Sequence, residues 1–213
     1  RGRRRPCRGA PFSGEGKLGR AGRFGNRLTL LRRSHSCGGM SLRPILIHPD
    51  PRLKKAAEAV SEPDDALRKL VEDMFETMYD APGIGLAGPQ IGVMKRIFVM
   101  DTSAKEDAPQ PLALINPEIL WRSDETSTYE EGCLSIPEIY EEVTRPARVA
   151  VRWLDPEGET REAEFEGLAA TCAQHEIDHL DGKLFIDYLG SVKRGLITQK
   201  MKKLKRERAK TGE

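Results

Sequence analysis

"EGLAATCAQHEIDHLDG", residues 166–182, is the stretch on which the reading of the chain turns. Leu168, Cys172, His175 and His179 fall at offsets 0, 4, 7 and 11, the spacing of one buried helix face, and Gly182 supplies a stop. On a helix, i and i+4 side chains point the same way. His175 and His179 can therefore present ring nitrogens to one metal ion, with Glu176 in reach of a water bound to it. The same HExxH pattern also occurs in helices that bind no metal, where the histidines are a satisfied core pair. The motif alone leaves both readings open.

Two other stretches weigh on that choice. In "EEGCLSIP" (130–137), Cys133 stands between a turn-like Glu131-Gly132 and an extended segment. Its thiolate can be a third ligand of a four-coordinate site that keeps one position for water. The alternative is a small buried cysteine acting as a hydrophobe, as Cys172 is expected to be. "GIGLAGPQIG" (83–92) has four glycines in ten residues and precedes a strand. No Lys-Ser/Thr follows and no helix opens there, which argues against phosphate binding. It reads as a loop that lets a substrate backbone come close, with Gln90 offering an amide donor; a tight core turn is the plainer alternative.

The rest of the chain supplies the scaffold. Leu67, Leu70, Val71, Met74, Phe75 and Met78 lie at offsets 0, 3, 4, 7, 8 and 11, a helix with Ser61 and Asp64 as its cap and Pro82-Gly83 as its end. Short apolar segments follow at 96–101 and 112–120. In 148–165, Val149, Val151 and Trp153 alternate with polar residues, "DPEG" makes a turn, and Ala163 and Phe165 resume the alternation: a hairpin with one wet face. The expectation is an α+β fold, antiparallel β-sheets packed around a central helix carrying HEIDH, plus a C-terminal helix.

GIGLAGPQ, EGCLS and QHEIDH, in that order and spacing, resemble the peptide deformylase family, and the resemblance runs from about Pro44 to Leu189. It implies removal of the formyl group from the N-terminal formylmethionine of newly made polypeptides by attack of a metal-bound water. It implies a divalent metal, usually ferrous iron, on one Cys and two His, here Cys133, His175 and His179. Zinc, nickel and cobalt suit the same ligands. Glu176 matches the catalytic acid/base, and Gln90 with the Leu134 backbone N–H the oxyanion site. Ile84, Gly85, Glu131 and Leu168 match lining or support of the pocket for the methionine side chain, although core packing accounts equally well for Ile84 and Leu168. Where the family has a second alanine after "GLA", this chain has Gly88, which is expected to loosen the backbone two residues before Gln90.

Two rivals share the HExxH helix. A zinc peptidase would place its third ligand downstream as His or Glu, yet no histidine follows His179. A non-catalytic, ribosome-associated protein with a structural zinc needs a fourth protein ligand, for which Cys172 is the candidate.

Charge divides the chain. Residues 1–39 hold 11 of the 35 Lys+Arg and one acid, Glu15, a net of +10, so residues 40–213 are left at −8 against the overall +2. This leader, with nine glycines and no apolar period, is expected to be disordered. It reads as a transit peptide, a nucleic-acid-binding arm, or upstream sequence before a true initiator at Met40; "GGM" favours the last. Residues 40–190 are expected to form a peptide-deformylase-like catalytic domain and 191–213 a basic C-terminal helix and tail. Residues 193–210 carry nine Lys+Arg and one acid: either a solvated face or a docking surface for ribosomal RNA. Four sparse cysteines fit a reducing compartment, bacterial cytoplasm or, if the leader is a transit peptide, an organelle. No apolar run is long enough to cross a membrane, and nothing indicates specific DNA binding.

Overall fold

The computed structural model describes residues 41–104 and 107–211; the basic leader and its expected disorder lie outside the described residues. The fold is α+β, with two antiparallel sheets and three α-helices among the described residues.

Helix α1 (Asp65–Asp80) buries Leu67, Val71, Met74 and Met78, the core of the expected face. Its cap is Asp64, whose side chain accepts from the Leu67 N–H at 2.8 Å; Ser61 lies too far upstream, with Pro63 between. Strands β1 (Gly85–Ala87), β2 (Ile97–Met100), β3 (Leu112–Arg122), β6 (Arg148–Leu154) and β7 (Thr160–Glu166) form the larger sheet in the order β1-β2-β3-β6-β7. The 148–165 hairpin is thus β6 and β7, with Leu154 opposite Thr160 across the turn. Strand β3 is interrupted at Asn116-Pro117, where proline has no N–H for the ladder. Asn116 takes φ +51° there and its amide clamps both backbone groups of Val60, at 2.8 Å each.

The second sheet is the hairpin of β4 (Thr126–Cys133) and β5 (Ile136–Pro146). Glu131 and Gly132 therefore sit within a strand. The turn comes after Cys133, at Leu134-Ser135, so Cys133 pairs with Ile136 at the hairpin tip. The glycine-rich stretch also differs from a simple loop: it is edge strand β1 followed by a 3-10 turn over Gly88–Ile91.

Helix α2 (Gly167–Leu180) runs between these layers and is buried on every side from Ala170 to Leu180, not along one stripe. Ala170, Cys172, Ala173, Ile177 and Leu180 pack against Phe98, Leu114, Val149 and Val151 of the large sheet. Its end is tight, because Gly182 (φ +72°) lies against the Lys54 backbone, where an added Cβ would come within 2.8 Å. Helix α3 (Ser191–Thr211) buries Ile197 and Met201, one turn apart, beside Leu53, Phe185 and Ile186. Among the described residues no helix is long and apolar enough to cross a membrane.

Candidate active site

Three elements converge on one cleft. The hairpin tip brings Cys133, the middle of α2 brings His175, Glu176 and His179, and the strand-turn segment after α1 brings Ile84, Gly85 and Gln90. The Cys133 Sγ lies 3.2 Å from His179 Nε2, and ligand atoms of Cys133, His175 and His179 all fall within 4.8 Å of one another. In a tetrahedral site, bonds of about 2.0 Å to nitrogen and 2.3 Å to sulfur put neighbouring ligand atoms roughly 3.3–3.8 Å apart. The triangle fits one cation.

Polar groups surround this triangle. His175 Nδ1 donates to Glu131 Oε2 at 2.8 Å, which leaves Nε2 for the cysteine side. Burial alone would lower this histidine, yet hydrogen bonds to Cys133 and Glu131 push it well up. Burial, with the charges of His175 and Arg145, drives His179 well down, so its ring is neutral and able to ligate. Both oxygens of Glu131 are occupied by Arg145, through Nε at 2.5 Å and Nη2 at 3.0 Å. Glu131 thus supports a histidine on one side while Arg145 grips it on the other.

Glu176 is 4% exposed, and burial pushes its carboxyl up to about 7. Its Oε2 has no hydrogen-bond partner among the described residues, an orphan acceptor suited to a water or a proton in transit. Gln90 is fixed by the Ala87 N–H, which donates to Oε1 at 2.8 Å and leaves Nε2 facing Cys133 Sγ (3.5 Å) and Ser135 Oγ (3.3 Å). At Gly88 an added Cβ would meet Val93 O at 2.8 Å and Lys95 O at 3.0 Å, so a close backbone approach favours glycine there.

The cleft has a volume of about 640 Å³ and is lined by every expected site residue except His179. Ile84 and Leu168 are each 43% exposed, so they face the cleft instead of filling the core. Tyr129 also lines it and stands in no motif that would have flagged it; Ile136, within EEGCLSIP, lines it too. Cys172 is buried with its Sγ toward Ile84 O at 3.5 Å, and burial beside Glu176 raises its thiol well up; it is outside the ligand triangle. Arg145 and Tyr188, which complete the polar network with Asp178, were not apparent from the sequence. Asp178 stands within QHEIDH, but the motif gave it no role.

One thiol and two imidazoles beside a buried carboxylic acid and an amide donor define the centre of a metal-dependent hydrolase. The polypeptide deformylase family model matches residues 42–195, and the chain belongs to that family. It is 56% identical over 164 residues to a peptide deformylase of Phenylobacterium zucineum, covering 77% of this chain and 97% of the relative. Its fold is similar to the peptide deformylase of Ehrlichia chaffeensis (TM-score 0.75, 41% identity, 78% of this chain and 98% of the other). It is also similar to the Met-Ala-Ser-bound class I type b peptide deformylase of Acinetobacter baumannii (TM-score 0.68, 33% identity, 71% of this chain and 100% of the other). This chain is accordingly a metal-dependent hydrolase that removes the N-formyl group from nascent polypeptides.

Proposed function

We propose that Cys133, His175 and His179 hold the metal, that the metal is ferrous iron, and that Glu176, Gln90 and the Leu134 N–H act on the formyl group. The observation that carries this is the Cys133–His179 approach of 3.2 Å within a three-ligand triangle. A divalent cation held there supplies acidity, lowering the pKa of water from about 15.7 toward 7. Glu176 accepts the proton of the attacking water and delivers it to the leaving amine, for which a carboxyl near neutrality is suited. As the formyl carbon becomes tetrahedral, Gln90 Nε2 and the Leu134 N–H meet the charge growing on its oxygen, each donor worth about 3 kcal/mol. Ile84, Gly85 and Leu168 form the wall for the methionine side chain, and Glu131 supports it by holding His175.

Three ligands leave one coordination position for solvent, which favours this reading over a structural zinc site; Cys172 lies outside the triangle. The test is turnover of a formylmethionyl peptide after anaerobic reconstitution with ferrous iron, compared with zinc. High turnover with iron and weak turnover with zinc is expected; equal rates would remove the preference for iron.

We further propose that α3 docks the enzyme on the ribosome. Its lysines and arginines are largely exposed while Ile197 and Met201 anchor it to the domain. Such docking acts through phosphate contacts and weakens with salt. The place of action is the bacterial cytoplasm, where nascent formylated chains emerge.

A further inference from the structure

The network behind His175 extends further than the metal reading needs. Arg145 is 4% exposed and its fork is occupied on two sides. Nε and Nη2 grip both oxygens of Glu131, and Nη1 donates to Asp178 Oδ2 at 2.7 Å. Tyr188 closes the far side, its hydroxyl donating to the same Asp178 oxygen at 2.8 Å and its ring lying 4.7 Å from the guanidinium carbon. Buried ion pairs contribute little net stability compared with apolar residues of the same shape, so stability is a poor reason for this arrangement. Their use is directional, because a planar guanidinium held at three corners has no freedom to turn.

We propose that Asp178 and Tyr188 are positioning residues for the metal centre, acting through Arg145 and Glu131 on the ring of His175. This rests on the reading of His175 as a ligand. Glu131 is on β4, whereas His175 and Asp178 are on α2, so without the clamp the hydrogen bond that aims Nε2 would depend on how two separate elements happen to sit. With it, Arg145 ties the carboxylate back to the ligand's own helix, one turn further on. Glu131 Oε2 then accepts from Arg145 Nη2 and His175 Nδ1 in a fixed direction. Partners of this kind typically carry about 10- to 100-fold in metal affinity.

The test uses the full chain loaded with cobalt(II), measuring retention against a chelator and the visible absorption of the bound ion. Tyr188→Phe removes one oxygen from a residue that is 51% exposed, keeps every charge, and should fold. It is expected to weaken cobalt retention severalfold and shift the absorption bands, and Asp178→Asn to weaken it about tenfold. On a Glu131→Gln background neither change should cause further loss, because both act through Glu131. Unchanged affinity and bands in Tyr188→Phe and Asp178→Asn, even with a lower melting temperature, would overturn the proposal; so would losses that add fully to that of Glu131→Gln. Cys133→Ala separates the underlying reading: if it retains cobalt as the parent does, the ligand assignment itself is wrong.

Discussion

Gly85→Ala puts the geometry of the cleft to a strict test. Gly85 is in edge strand β1, opposite Met100, with an ordinary extended backbone that alanine adopts freely. Its missing side chain is the point. A Cβ there would stand 2.3 Å from Glu176 Oε1 and 2.9 Å from both Glu176 Cδ and Cys172 Sγ, where ordinary contact begins at about 3.4 Å. The carboxyl tip must therefore retreat by about 1 Å. Stability should fall modestly, within about 1–3 kcal/mol, because the tip of a side chain can give way more easily than backbone. Chemistry should fall further, since a 1 Å misplacement of a reacting group costs on the order of 10²-fold, about 2.7 kcal/mol of transition-state free energy. The assay is formate release from a formylmethionyl tripeptide by iron-loaded enzyme, with metal content and melting temperature measured on the same samples. The metal should remain, because the alanine does not touch its ligands. A folded, metal-loaded variant with kcat/KM within about threefold of the parent would refute the placement of Glu176 at the reacting bond.

Three further outcomes are expected. Gln90→Ala should lower kcat by about 10²- to 10³-fold with little change in metal content, measured by the same assay. On the acid side, burial would raise the Asp101 carboxyl, but hydrogen bonds from Ser103, Tyr79 and the Gln110 backbone hold it at about 2 against an ordinary 3.8. A depressed carboxylate stabilises the fold fully above about pH 4 and loses that contribution as pH falls toward 2. Urea unfolding between pH 5 and pH 2, in the parent and in Asp101→Asn, should show the variant losing less over that window. Deleting residues 1–39 should leave turnover and melting temperature unchanged, and a large drop in either would make the leader part of the working enzyme.

The parts of the fold readable in the sequence are those with a clean period. Val149, Val151 and Trp153 against Phe165 announced the β6–β7 hairpin, and Leu67 to Met78 announced α1. The β4–β5 hairpin was not legible, because residues such as Glu130, Glu142 and Tyr140 leave its faces half wet and without a regular apolar row. The all-round burial of α2 was hidden for a related reason. Ala169, Ala170, Thr171 and Ala173 look neutral in a periodicity, yet small residues are what allow sheets to close on both sides of a helix. In the site, Cys133, Glu176 and the two histidines could be found because ligand chemistry restricts both residue type and spacing. Arg145 could not, since nothing in one strand reveals that a charge will be buried between partners 14 and 33 residues away.

The proposed centre is a cation held by one thiolate and two imidazoles, with a position left for solvent. X-ray absorption on the zinc-loaded protein tests it most directly. The expected spectrum has one sulfur at about 2.3 Å, two imidazole nitrogens at about 2.0–2.1 Å and a light-atom neighbour, and Cys133→Ala removes the sulfur while Cys172→Ala leaves it. A spectrum with no sulfur, or with two, would contradict the account.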